Sequence, residues 1–204
     1  YLLDEIEDAA ERGIVIAYDA RPDSRQFAAD AASVFLGAGI KVYLTADAQP
    51  TPVGAFAVLH HGAAAGVVVT ASHNPPQYNG YQAYRDNGAQ IRPPPDAGIA
   101  QRIDLAASAE IPWLDIEEAL QAGRLEMLGD DFADLYCQRV LEGCALDEGT
   151  ATAPVRIAYT ALHGVGAKLA ERILGASGIC EFASVPSQND PDGTFPTVAF
   201  PNPE

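Results

Sequence analysis

The sequence predicts an α/β fold: a mixed sheet sandwiched by helices, followed by the beginning of a second α/β unit. Three observations carry this expectation. Short apolar runs of strand length alternate with segments of helical periodicity. The strand runs are continuously apolar, as buried parallel strands are, rather than alternating. A second strand–helix–strand run starts late in the chain and echoes the first.

In order along the chain, residues 4–12 read as the end of a helix stopped by Gly13. "IVIAY" (14–18) is a buried strand, and "DARPDS" turns the chain. Residues 25–36 then show a helical pattern through Phe27, Ala31, Val34 and Phe35, closed by Gly37 and Gly39. "IKVYL" (40–44) is the second strand. Residues 51–61 read as a helix with Thr51 as its cap and Pro52 in its first turn. "GVVVT" (66–70) is the third strand. The short runs "GYQAY" (80–84) and "AQI" (89–91), around the turn "RDNG", predict an antiparallel edge.

Helical patterns dominate residues 95–121, and a further helix spans about 130–141 with Phe132, Leu135, Tyr136, Val140 and Leu141 on one face. A boundary is expected near residues 124–130, giving units of 1–127 and 128–204. In the second unit, "LDEGTATAP" has loop composition. "VRIAYT" (155–160) and "CEFASV" (180–185) read as strands flanking the helical "GVGAKLAERILGASG", and "FPNPE" reads as loop.

Composition narrows the function. The chain of 204 residues is 48% apolar and 20% charged, an ordinary globular balance, and no apolar run reaches membrane-spanning length. A net charge of −16 repels nucleic acid and anionic membranes, so neither is expected as a partner. The acidic N-terminal residues do not resemble a secretory signal. Cys137, Cys144 and Cys180 lack paired metal-ligand spacing and read as reduced, structural thiols of a cytoplasmic protein, with Cys137 and Cys144 both expected to face the core.

The stretch "VVVTASHNPPQYNGYQAY" (67–84) carries the chemistry. Ser72 sits where a strand ends, and ligands of α/β sheets bind outside the carboxyl ends of strands. Pro75 and Pro76 stop regular structure, leaving a rigid loop able to present one hydroxyl. No G-x-S-x-G elbow is present, and side chains adjacent in sequence diverge, so Ser72 with His73 is a poor hydrolase pair. A serine hydrolase would need a distant histidine such as His163. On spacing alone, a functional serine and a polar turn both remain open.

The string "TASHNPPQYNGYQAY" closely resembles the phosphoserine loop of the α-D-phosphohexomutases, the phosphoglucomutase and phosphomannomutase superfamily. "YDARPDSRQFA", "QPTPV", "YTALHGVG" and "DPDGTFPTVAFPNPE" extend the resemblance over nearly the whole chain, the last two being most similar to the phosphoglucomutase-2 and phosphopentomutase branch. The resemblance implies a phosphosugar mutase, an isomerase of carbohydrate metabolism. A phosphate on Ser72 passes to a phosphosugar, and the resulting sugar bisphosphate returns its other phosphate, moving phosphate between the 1-position and the 6- or 5-position. It further implies that Ser72 and His73 are catalytic and that Asn74, Arg21 and Gln82 contact substrate or phosphate. Mg²⁺ is the implied cofactor, with the Ser72 phosphate as one ligand.

The pattern departs from the family at Gln82, ten residues after the serine, where the family carries a lysine held to assist proton transfer. Glutamine donates hydrogen bonds but is no general acid or base. No Asp-Gly-Asp-x-Asp-Arg metal loop occurs in the sequence either. A fragment, inactive by itself, is therefore expected, and a non-catalytic sugar-phosphate-binding or regulatory protein on the same scaffold is the alternative. Elsewhere, "NDPDG" (189–193) reads as a surface turn and "HGVG" (163–166) as a tight strand-to-helix turn. His60 and His61 read as a solvated helix end, Trp113 as a packing residue, and Lys168, Glu171 and Arg172 as an exposed helix face.

Overall fold

The apolar runs of the first half become the centre of one sheet. In a computed structural model of the chain, which describes residues 1–106, 108–144, 155–178 and 180–199, β1 (Ile14–Tyr18), β2 (Val42–Thr45) and β3 (Ala65–Val69) are parallel and buried throughout. β4 (Tyr81–Arg85) pairs antiparallel with β3, Gln82 lying opposite Val68, and β5 (Leu125–Leu128) pairs parallel with β2. The five-stranded order is β4-β3-β1-β2-β5. The antiparallel edge expected at 80–84 is present, while residues 89–91 contribute only a bridge between Tyr84 and Gln90.

Alternate residues of each strand face opposite helical layers. Residues 4–12, expected as one helix end, instead form two short helices, α1 (Leu2–Glu5) and α2 (Ala9–Arg12), separated by an extended Ile6 and a left-handed Asp8. Ile14, Ile16 and Tyr18 pack with Ala28, Ala32 and Leu36 of α3 (Ser24–Gly37). On the other face, Val15 and Tyr43 pack with Val53, Ala57 and Val58 of α4 (Thr51–His61). The helical patterns at 95–121 become α5 (Pro95–Ala106) and α6 (Ile116–Gln121), and Ala119 of α6 joins the α3 core. Phe132 and Cys137 of α7 (Asp130–Gly143) join the α4 core. Each fully buried valine or isoleucine contributes about 1.5–3 kcal/mol, so this two-sided burial fixes the strand register. Among the described residues, no helix is long and apolar enough to cross a membrane.

The second unit is a two-stranded parallel sheet of β6 (Val155–Tyr159) and β7 (Cys180–Ser184), joined through α8 (Ala167–Ser177). Leu169 of α8 enters the core shared with α4 and α7. Arg172 pairs with Asp134 at 2.8 Å and Asp130 at 3.3 Å, so the face read as merely exposed docks α8 on α7.

Further expectations are corrected. β5 is a strand that the sequence pattern does not show: it sends Leu125 to one core and Leu128 to the other, and Glu126 and Met127 are exposed at the sheet edge, so no alternation marks it. It spans the expected boundary at 124–130. Cys144 lies just past α7 and is exposed, unlike buried Cys137, and the Trp113 side chain is exposed. The loop expected at 146–154 and the whole of "FPNPE" (200–204) lie outside the described residues.

His61 is no solvated helix end. Its ring stacks on Tyr43 at 4.2 Å and on Phe132 at 5.5 Å. Loss of solvent pushes its pKa down, with His60 and Lys41 in the same direction and Glu126 opposing. Neutral His61 therefore supports the fold above the ordinary histidine range, and that support is lost as pH falls through its lowered folded value. Urea midpoints should drop between roughly pH 7 and 5.5, and less so in His61→Phe, which keeps the stack without the charge; equal pH slopes in the two proteins would contradict this role.

Candidate functional site

Beyond the end of β3, the backbone leaves the extended region and Ser72 adopts φ 54°, in the left-handed region. That conformation costs a non-glycine residue roughly 1 kcal/mol or more, so its neighbours must hold it. Ser72, His73 and Asn74 are all exposed. The Ser72 N–H donates to Thr70 Oγ1 at 2.9 Å, and the Asn74 N–H to the Ala71 carbonyl at 3.0 Å.

Arg21 is what holds the loop. Its side chain is only 1% exposed and lies beneath residues 72–78. Nη1 donates to the carbonyls of Pro75 at 2.9 Å and Tyr78 at 3.1 Å. Nη2 donates to the carbonyls of Ser72 and Asn74, each at 2.6 Å. Nε lies 3.2 Å from Asp19 Oδ2, which balances the buried charge. A planar guanidinium with fixed donors can satisfy four carbonyls of one irregular loop; an ammonium cannot.

Asp19, at the carboxyl end of β1, ties this clamp to the sheet. Oδ1 accepts from the Arg21 N–H at 3.0 Å and from Ser24 Oγ at 2.7 Å, and Oδ2 accepts from Thr70 Oγ1 at 2.6 Å. Asn79 donates to Ser24 Oγ at 2.9 Å and accepts from the Gly80 N–H at 2.8 Å. A Cβ on Gly80 would stand 2.6 Å from the Thr70 carbonyl, so only glycine lets the returning strand approach so closely.

The second unit closes the other side. Ser72, His73, Asp19 and Arg21 share a cleft of about 370 Å³ with Gln49 and Thr51 from the β2–α4 connection, and with His163, Gly164, Gly193 and Phe195. The Phe195 ring lies 5.3 Å from the Arg21 guanidinium carbon. His163 is buried, and its Nε2 meets Thr197 Oγ1 at 2.8 Å.

Of the residues expected at the site, Ser72, His73 and Arg21 meet at this cleft. Arg21 supports the loop in this structure, its four terminal N–H groups being taken by loop carbonyls. Asn74 contributes its carbonyl to that clamp, and its side chain does not line the cleft. Gln82 lies on β4 outside the cleft, its Oε1 accepting from the Tyr84 hydroxyl at 2.9 Å. His73 Nδ1 stands 3.5 Å from Ser72 Oγ, beyond the working range of about 2.6–3.2 Å for a general base. His163 Nε2 meets Thr197 Oγ1 and not Ser72 Oγ, so among the described residues no distant histidine pairs with the serine in the way a hydrolase reading needs.

Asp19, Ser24, Thr70 and Phe195 also support the site; all four lie within the strings that carry the family resemblance, but residue type and spacing alone assign them no role. The nearest signal for Asp19 and Ser24 is the run "DARPDS", whose polar residues flank a turn next to a buried strand.

Fold and site together define an α/β/α-layered domain that presents one exposed serine, on a clamped loop, at the carboxyl ends of its parallel strands. The chain belongs to the phosphoglucomutase/phosphomannomutase family: the family's alpha/beta/alpha domain I matches residues 1–110 and its alpha/beta/alpha domain II matches residues 134–204. It is 38% identical to a phosphopentomutase of Mus musculus over 213 aligned residues, covering 100% of this chain and 34% of that protein. It is 41% identical to a probable phosphomannomutase of Haemophilus influenzae, covering 95% of this chain and 39% of that protein. The crystal structure of a putative phosphomannomutase from Thermus thermophilus superposes with a TM-score of 0.76 at 26% identity, over 96% of this chain and 42% of that one. The chain thus spans little more than a third of the length of the curated relatives it matches.

Arg21→Lys keeps the charge but cannot span four carbonyls. It should lower unfolding free energy by about 2–4 kcal/mol in urea titrations; a loss below roughly 0.5 kcal/mol would mean the loop does not depend on the clamp.

Proposed function

We propose that the complete protein is a phosphosugar mutase in which Ser72 carries the transferred phosphoryl group. The observation that carries this reading is the exposed Ser72, on a pinned loop at the rim of the 370 Å³ cleft, within the family's serine motif. In the first transfer the Ser72 Oγ–P bond breaks as a sugar O–P bond forms, and the attacking hydroxyl's proton is given up as the serine oxygen regains one. The reverse step takes the other phosphate from the sugar bisphosphate. Such chemistry depends on positioning and charge neutralisation more than on an elaborate nucleophile, which suits a hydroxyl fixed by its loop.

His73, beside Ser72 on the cleft wall, would flank the phosphate, while Asn74 helps hold the loop through its carbonyl on Arg21. Mg²⁺ would neutralise charge on the phosphoryl oxygens, a hard cation for hard oxygen ligands. The residues described here fit one ligand of that ion, a phosphate on Ser72. Asp19 is engaged by four groups, and no cluster of three His, Cys, Asp or Glu side chains occurs among the described residues. The division at 127/128 is our working boundary, although it falls one residue before the end of β5, whose Leu128 pairs with Thr45 of the first sheet. A cytoplasmic location and a phosphosugar with its bisphosphate as partners belong to the same reading.

Gln82 favours a second reading, a sugar-phosphate-binding or regulatory protein on the mutase scaffold. Its amide is engaged with Tyr84 and supplies no acid or base.

Full-length protein purified from cells should carry phosphate on Ser72 by intact mass and peptide mapping, and should interconvert a 1-phosphosugar and its isomer with Mg²⁺ and bisphosphate. Ser72→Gly should abolish both and unfold no more easily, gaining up to about 1 kcal/mol from relief of the left-handed backbone. Phosphate found only on other serines would exclude this role for Ser72. Gln82→Lys should raise turnover several-fold in a steady-state assay; an unchanged rate would show that position 82 does not limit the reaction.

A further inference from the structure

The Arg21 guanidinium meets an aromatic ring that neither the loop nor the sheet provides. The four carbonyls take its terminal N–H groups and Asp19 Oδ2 lies 3.2 Å from Nε, while its guanidinium carbon lies over the ring of Phe195, which comes from the second unit. Phe195 is itself held in the left-handed region at φ 49°. A bulky aromatic adopts that conformation only where its surroundings impose it.

Those surroundings are explicit. The Phe195 N–H donates to the Asp192 carbonyl at 3.0 Å, and the Asp192 N–H donates to the His163 carbonyl at 2.9 Å. The Asp192 carboxylate accepts from the Thr194 N–H at 2.9 Å and the Thr194 hydroxyl at 2.6 Å. Gly193 is buried against Ala20 and Arg21, where a Cβ would fall inside contact distance of the Ala20 carbonyl and the Arg21 Cα. The turn at 192–195 is thus fitted to the Ala20–Arg21 backbone and ends with an aromatic ring over the guanidinium.

We infer that Phe195, set by the Gly193 turn, is a positioning residue for Ser72: it holds the Arg21 plane so that the four carbonyls keep the serine loop in its left-handed form. The inference rests on the reading of Ser72 as the phosphate carrier. The guanidinium carbon lies over the ring, 5.3 Å from its centroid, so the π face attracts the buried cation. It makes the serine loop sensitive to the docking of the second unit, a coupling that neither unit carries alone. Phe195 touches no reacting atom in this arrangement.

The test uses the full-length protein. Phe195→Leu keeps an apolar side chain but removes the π face; it should lower kcat about tenfold with KM changed less than twofold, and reduce the Ser72 phosphate fraction. Phe195→Tyr should restore both. Independently of activity, amide hydrogen exchange at Ser72, Asn74 and Tyr78 should speed up several-fold in Phe195→Leu while the amides of β1 stay protected. Gly193→Ala should produce the same local loosening. Wild-type exchange at those three amides in both Phe195→Leu and Gly193→Ala would overturn the inference, as would failure of Phe195→Tyr to restore what Phe195→Leu loses. A fully active Ser72→Gly would instead defeat the mutase reading and leave the exchange result standing as the measure of the latch.

Discussion

A single buried guanidinium organises this protein's candidate site. The loop after β3 contains two prolines, turns through a left-handed serine and returns as an edge strand, so few of its backbone groups find partners in regular structure. Four of its carbonyls converge on Arg21 instead. Burying that charge is unfavourable in isolation; Asp19 and the carbonyls offset the desolvation together, and removal of any one leaves the others poorly matched. The loop, the cation and the carboxylate therefore stand or fall as a unit.

The rest of the fold serves to place that unit. β1 and β3 are adjacent and parallel, so Asp19 and Thr70 emerge side by side at the same end of the sheet. Two-sided burial of Val15, Ile16, Val67 and Val68 fixes the register that brings them together. α7, packed on the first sheet, receives α8 through Arg172 and Leu169, and this docking carries the 192–195 turn onto Arg21. The exposed serine thus depends on contacts reaching from the centre of the sheet to the second unit.

Much of the fold was legible in the sequence. The strands at 14–18, 42–45 and 65–69 announced themselves as continuous apolar runs, and the Gly- and Pro-bounded helices around them by periodicity. β5 was not legible, because a four-residue edge strand with one leucine to each face has no period to read. At the site, Ser72 could be found from its motif and its address at a strand end. Arg21 could be placed near it but not understood. Nothing in "YDARPDS" says whether an arginine faces a ligand or the underside of a loop; that is decided by carbonyls 51 to 57 residues away. Phe195 was illegible for the same reason, its partner being a cation in the other unit.

The central claim is that the Arg21 side chain is locked in place by carbonyls of the serine loop. The most direct measurement is NMR of the guanidinium protons in protein labelled with ¹⁵N-arginine. A locked Arg21 should give separate, slowly exchanging Nη–H resonances, shielded from solvent. One averaged, rapidly exchanging signal, as a solvated arginine gives, would contradict the account.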